Sequence, residues 1–147
     1  VRYSVSPARQ EPAEIRSLRC ALMMLPEEPP LELGGCVLAG RLFPGVADRM
    51  HRGRLVADTL RAAIAILRPP ATLPQSDRRW WPYRICVLEY LDGRPRSEAE
   101  QLIAISSSTY SRAKRRALER IAAMLPELAA LHAREALPPQ MIQKARP

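Results

Sequence analysis

Between Ser97 and Leu125 the chain holds two helix starts so close together that only a short helix, a tight turn and a longer helix can satisfy both. Ser97-Glu98-Ala99-Glu100 has the form of a capping box, in which Ser97 accepts a hydrogen bond from the Glu100 backbone N–H and Glu100 returns one to the cap. The first helix then carries Ala99, Leu102 and Ile103 on one face, the i, i+3, i+4 spacing of a buried stripe, and ends near Ala104-Ile105-Ser106. Ser106-Ser107-Ser108-Thr109 provides a second set of caps, because hydroxyls at a helix start satisfy orphan N–H groups. The second helix turns Tyr110, Ala113, Ala117, Leu118 and Ile121 inward. Its other face shows Ser107, Ser108, Ser111, Arg112, Lys114, Arg115, Arg116 and Arg120, with only Glu119 opposing them.

The string Ile105-Ser106-x-x-Thr109-Tyr110-x-Arg112-x-x-Arg115-Arg116-Ala117-Leu118-Glu119-Arg120 resembles the promoter-binding helix-turn-helix at the C-terminal end of bacterial sigma factors, and related response-regulator output domains. Val87-Leu88-Glu89-Tyr90-Leu91-Asp92-Gly93 is similar to the helix and glycine corner that lead into that motif. The resemblance covers about residues 80 to 125, a third of the chain. It implies that Ser107, Ser108, Ser111 and Arg112 face bases or phosphates of double-stranded DNA, that Lys114, Arg115 and Arg116 lie along the backbone, and that Arg120 extends the same cationic face. Glu100 stands where the family has a small residue, so its carboxylate needs a partner or an outward tilt. Residues 1 to 77 carry nothing like the polymerase-binding, promoter-melting half, which argues against a complete sigma factor.

Charge follows the motif. The 147-residue chain has a net charge of +8 and a pI near 10.2; residues 78 to 125 hold ten Arg or Lys against five Asp or Glu, whereas residues 1 to 77 hold ten against eight. Arg supplies nearly all of the excess, and a guanidinium grips phosphate through two donors at once. The same composition argues against other classes. Cys20, Cys36 and Cys86 have no Cys-x-x-Cys spacing and read as buried free thiols of a cytoplasmic protein. His51 and His132 are isolated, so neither a metal nor another cofactor is expected. No glycine-rich phosphate loop or nucleophile motif marks an enzyme, and no apolar run approaches a membrane span.

The remaining pattern is all-α. Pro12 opens a helix to Leu25 with Ile15, Leu18, Ala21, Leu22 and Leu25 on one stripe. Leu31 to Phe43 reads as helical despite its glycines. Asp48 to Leu67 is a clear helix with Leu55, Val56, Leu60, Ala63, Ile64 and Leu67 inward, and Arg49, Arg52, Arg54, Asp58 and Arg61 outward. Pro69 to Asp77 reads as a semi-rigid linker, and Arg78 to Leu91 as a helix carrying most of the aromatic mass. Pro126 either kinks the basic helix or opens a separate one over Glu127 to Leu137.

The expected organisation is therefore an N-terminal helical segment (1–68) that binds a partner or dimerises, a proline-rich linker (69–77), a helix-turn-helix domain with a short C-terminal helix (78–137), and a loose tail (138–147). The leading expectation for function is a transcriptional regulator, as a homodimer formed mainly by residues 12 to 67. The alternatives are a helical adaptor docking on an acidic partner, such as a polymerase subunit or a larger regulatory protein, and a nucleic-acid binder using charge alone. A start at Val1 rather than Met leaves room for a longer parent protein.

Overall fold

The computed structural model describes residues 11–27 and 30–136. Expectations for residues 1–10, Leu137 and the tail lie outside them. Among the described residues all regular structure is helical: α1 (Ala13–Met23), α2 (Leu31–Gly34), α3 (Val37–Leu42), α4 (Arg49–Ile66), α5 (Trp81–Cys86), α6 (Arg96–Ile103) and α7 (Ser107–Glu135). A 3₁₀ turn, Arg78–Trp80, leads into α5, and a π turn, Val87–Leu91, extends it. The fold is all-α, as the sequence predicts.

The predicted helix over Leu31 to Phe43 is broken into α2 and α3, with Gly35 and Cys36 between them. This region is shaped by close backbone contact. A Cβ on Gly34 would lie 1.9 Å from the Arg49 carbonyl oxygen, and one on Gly53 would lie 1.9 Å from the Pro30 carbonyl oxygen, so α2 and α4 cross where neither has a side chain. Arg49 and Arg52, expected to point outward, reach back across this crossing: Arg49 Nε donates to Leu31 O at 2.8 Å, while Arg52 Nε donates to Gly34 O at 2.6 Å. A one-turn helix leaves its last carbonyls without partners, and these guanidiniums supply them.

The apolar stripes of α1 and α4 are buried as predicted, but within this chain. Leu18, Leu22, Val56, Leu60 and Ile64 form one core with Ala117, Leu118, Ile121, Leu125 and Ala129 of α7. The α4 stripe therefore has no free face for a second copy. Residues 69–77 are the proline-rich stretch expected to be a semi-rigid linker. They fold into two turns, Leu73 N–H to Pro70 O and Asp77 N–H to Pro74 O, each at 3.0 Å, and the Trp80 indole N–H pins Leu73 O at 3.0 Å.

At Pro126 the separate helix does not form. Helix α7 runs 29 residues through it, about 44 Å at 1.5 Å per residue. The cysteines are free but differ in environment: Cys86 is buried, Cys36 intermediate and Cys20 exposed, which corrects the expectation of three buried thiols. Burial pushes the Cys86 thiol up to about 12.

Candidate nucleic-acid interface

A second, smaller core joins α5, α6 and α7 through Ile85, Ala99, Ile103, Tyr110 and Ala113. It sets the angle at which α7 leaves the turn. Leu102, predicted to be buried with Ala99 and Ile103, is half exposed. The turn itself is made by Ala104, Ile105 and Ser106. Ala104 takes the left-handed conformation (φ 60°, ψ 47°) that closes α6, and its N–H reaches Glu100 O at 2.9 Å. Ser106 then caps α7 as predicted, its hydroxyl accepting the Thr109 N–H at 3.2 Å.

The start of α6 is a correction. Ser97 is not the cap and no capping box forms: the helix opens at Pro95, whose carbonyl accepts the N–H groups of Glu98 and Ala99 at 3.1 Å. Proline's fixed φ favours this earlier start, and the two carboxylates are occupied elsewhere, Glu98 by Arg94 and Glu100 by Arg96.

Arg96 is the residue that sequence reasoning missed. Its Nε donates to Glu100 at 2.8 Å, its terminal nitrogen donates to the Ser111 hydroxyl at 2.5 Å and the Ser107 carbonyl at 3.3 Å, and its guanidinium carbon lies 5.0 Å from the Tyr110 ring centroid. One side chain thus ties the start of α6 to the first turn of α7. Glu100 receives a further hydrogen bond from the Ser107 hydroxyl at 3.3 Å, so the partner required of it is supplied. The hydrogen bond from Arg96 leads the effects that hold the Glu100 carboxyl below its usual range.

On the α5 side, Glu89 accepts the Tyr110 hydroxyl on one oxygen and Lys114 Nζ, at 2.8 Å, on the other. Lys114 also lies over the Tyr90 ring at 5.6 Å. Its side chain is only 17% exposed, so of the eight residues expected to face DNA, Lys114 points inward as part of the packing. Ser107, Ser108, Ser111, Arg112, Arg115, Arg116 and Arg120 are all exposed. At 100° per residue, Ser108, Arg112, Arg115, Arg116 and Glu119 form the outward stripe opposite Tyr110, Ala117 and Ile121. Arg115 pairs with Glu119 at 3.1 Å, whereas Arg112, Arg116 and Arg120 have no carboxylate partner among the described residues. Ser107 and Ser111 are partly engaged by Arg96 and sit at the stripe's edge.

Among the described residues no three His, Cys, Asp or Glu side chains gather in a way that would hold a metal, and no helix is long and apolar enough to cross a membrane. Compared with known proteins, the chain matches no family model, no curated protein and no solved structure.

Proposed function

We propose that this protein binds double-stranded DNA through the N-terminal half of α7 and acts as a transcriptional regulator. The observation that carries the reading is the outward stripe: Arg112 and Arg116, without a carboxylate partner among the described residues, with Arg115 and the short Ser108 beside them, exposed along a helix whose opposite face buries Tyr110, Ala113, Ala117, Leu118 and Ile121. Short hydroxyls let a helix approach base edges, and the arginines supply phosphate and guanine contacts. Arg96 and Glu89 support the reading because they hold the helix from both sides, and a rigid reader loses less freedom on binding.

The test is fluorescence anisotropy of a labelled random duplex across a salt series, followed by selection of preferred sequences. Replacing Arg112, Arg115 and Arg116 by Ala together should lower the slope of log affinity against log salt by about 0.9 for each lost phosphate contact, with the helical content unchanged. Equal slopes in the triple variant and the parent would reject the stripe as a DNA surface and leave a protein-docking role as the reading to pursue.

A further inference from the structure

Beside the stripe lies an open cleft of about 780 Å³, bounded by the end of α4 and its following prolines, the start of α5, and α7 from Thr109 to Arg120. Six arginines line it: Arg68 just past the end of α4, Arg78 and Arg79 from the 3₁₀ turn, and Arg112, Arg116 and Arg120 from α7. No carboxylate among the described residues lines it. Of the acids next to these arginines in sequence, Asp77 is held by Arg79 through two hydrogen bonds at 3.0 and 3.1 Å, and Glu119 pairs with Arg115 outside the cleft. The other five guanidiniums have no carboxylate partner among the described residues. Arg68 lies over the Trp80 ring at 5.9 Å.

Like charges gathered in one concavity repel, and what relieves them is a ligand with several negative charges at close spacing. Guanidinium forks fit phosphate oxygens in pairs. Apart from Thr109 the rest of the wall is apolar, with half-buried Trp81 and the rings of Pro69, Pro70 and Pro82. A duplex backbone has no use for an aromatic wall inside a concave site, whereas a nucleobase stacks on one. The volume also falls within the range of small-ligand sites, about 300–1,000 Å³.

We infer that this cleft binds a small ligand in which a flat ring is joined to two or more linked phosphates, a nucleoside di- or triphosphate by chemical class. The arginines take the phosphates and Trp81 takes the ring. Because Arg112 and Arg116 belong to both the cleft and the outward stripe, an occupant neutralises charge that DNA would otherwise use, so ligand and DNA compete. The competition rests on the DNA reading; the binding does not.

The full chain is titrated with ATP, tripolyphosphate and adenosine at low ionic strength by calorimetry and tryptophan fluorescence. The expected result is one ATP per chain with quenched fluorescence, binding at least about tenfold tighter than tripolyphosphate because only ATP uses both walls, and no detectable heat with adenosine. Arg78→Gln should weaken ATP about tenfold. Arg54→Gln, the same charge loss on exposed α4 outside the cleft, should not. Thermal melting of both variants checks that each is folded. Equal ATP affinity in the two variants, or tripolyphosphate binding as tightly as ATP, would overturn the site in favour of diffuse charge. Saturating ATP should then raise the dissociation constant for duplex DNA, and an unchanged constant would overturn the competition. If the chain binds ATP as expected but not DNA, the DNA reading fails and the site stands.

Discussion

Replacing Glu89 by Gln tests the network that seats α7. Glu89 is 11% exposed, and its two carboxylate oxygens serve two donors from α7, the Tyr110 hydroxyl and Lys114 Nζ. Gln keeps the shape but loses the charge, and it turns one acceptor into a donor facing either an ammonium or a hydroxyl. Breaking a buried pair by removing one partner costs about 3–5 kcal/mol, and the slight exposure of this one brings the expected loss to about 2–4 kcal/mol. For a chain of this length, at roughly 3 °C per kcal/mol, the melting temperature should fall by about 6–12 °C. Lys114→Met, which keeps length and apolar stem, should cost less, since the remaining carboxylate keeps the Tyr110 hydroxyl. The double variant should cost less than the sum of the singles by at least about 1 kcal/mol, measured by urea denaturation. Additivity within about 0.5 kcal/mol would refute the coupling. Lys114→Met must also leave the DNA salt slope unchanged; a drop of about 0.9 with stability intact would make Lys114 a phosphate contact and the inward placement wrong.

Gly53→Ala should destabilise the fold even though alanine favours helices by about 1 kcal/mol, because its methyl would meet the Pro30 carbonyl; an unfolding midpoint at or above the parent's would show that α2 is free to shift. Ala104→Gly should stabilise by about 1 kcal/mol by relieving the left-handed turn, and Ala104→Val should do the reverse; denaturant titration of the pair reads the sign. Pro126→Ala should stabilise by up to about 3 kcal/mol, since Pro126 is exposed inside α7 and contributes no N–H to it, and an unaltered midpoint would show that the helix has already adapted. Stability should also fall at alkaline pH. Burial raises Cys86 from 9.0 to about 12 and moves Tyr90 and Tyr110 in the same direction, so all three favour the protonated form when folded. Their contribution is intact below pH 9 and is lost as pH rises through the folded values, at about 1.4 kcal/mol per pH unit for each group between its unfolded and folded pKa. Melts from pH 8 to 11 in Cys86→Ala and Tyr110→Phe should show a shallower decline than the parent, and identical pH slopes would contradict this.

What the sequence makes legible is what each helix does by itself. The stripes of α1 and α4, the cap at Ser106, and the inward set Tyr110, Ala113, Ala117, Leu118 and Ile121 all follow from spacing along one element. What spacing hides is pairing between elements. Lys114, four residues after Tyr110 and four before Leu118, falls on the inward side of a helical projection of α7; its charge argues for solvent until Glu89, 25 residues earlier in the chain, arrives to pair with it. Arg96 reads as an ordinary exposed arginine until the turn at Ala104 brings Ser107 and Ser111 over it. Ser97 and Glu100 had the right spacing for a capping box, but spacing does not reveal that Pro95 opens the helix earlier and that Arg96 claims the carboxylate. The arginine cleft was hidden for the same reason: its members come from three stretches that look, one at a time, like solvated charge.

Helix α7 belongs to both cores, and this bears on how DNA would be held. Tyr110 and Ala113 pack with α5 and α6, while Ala117, Leu118, Ile121 and Leu125 pack with α1 and α4. The outward stripe from Ser108 to Glu119 spans the junction, so its position relative to the first half of the chain is fixed by packing on both sides. One recognition helix reads only a few base pairs, and specific regulators reach about 10⁻⁸ M or tighter. On the DNA reading, the missing affinity must come from contacts beside the helix or from a second copy that docks away from the α4 stripe. The structure offers the first at once, since Arg68, Arg78 and Arg79 stand in the cleft that adjoins Arg112 and Arg116. Those same arginines are the ones a small polyphosphate would occupy, which makes the width of the DNA contact the quantity such a ligand would control.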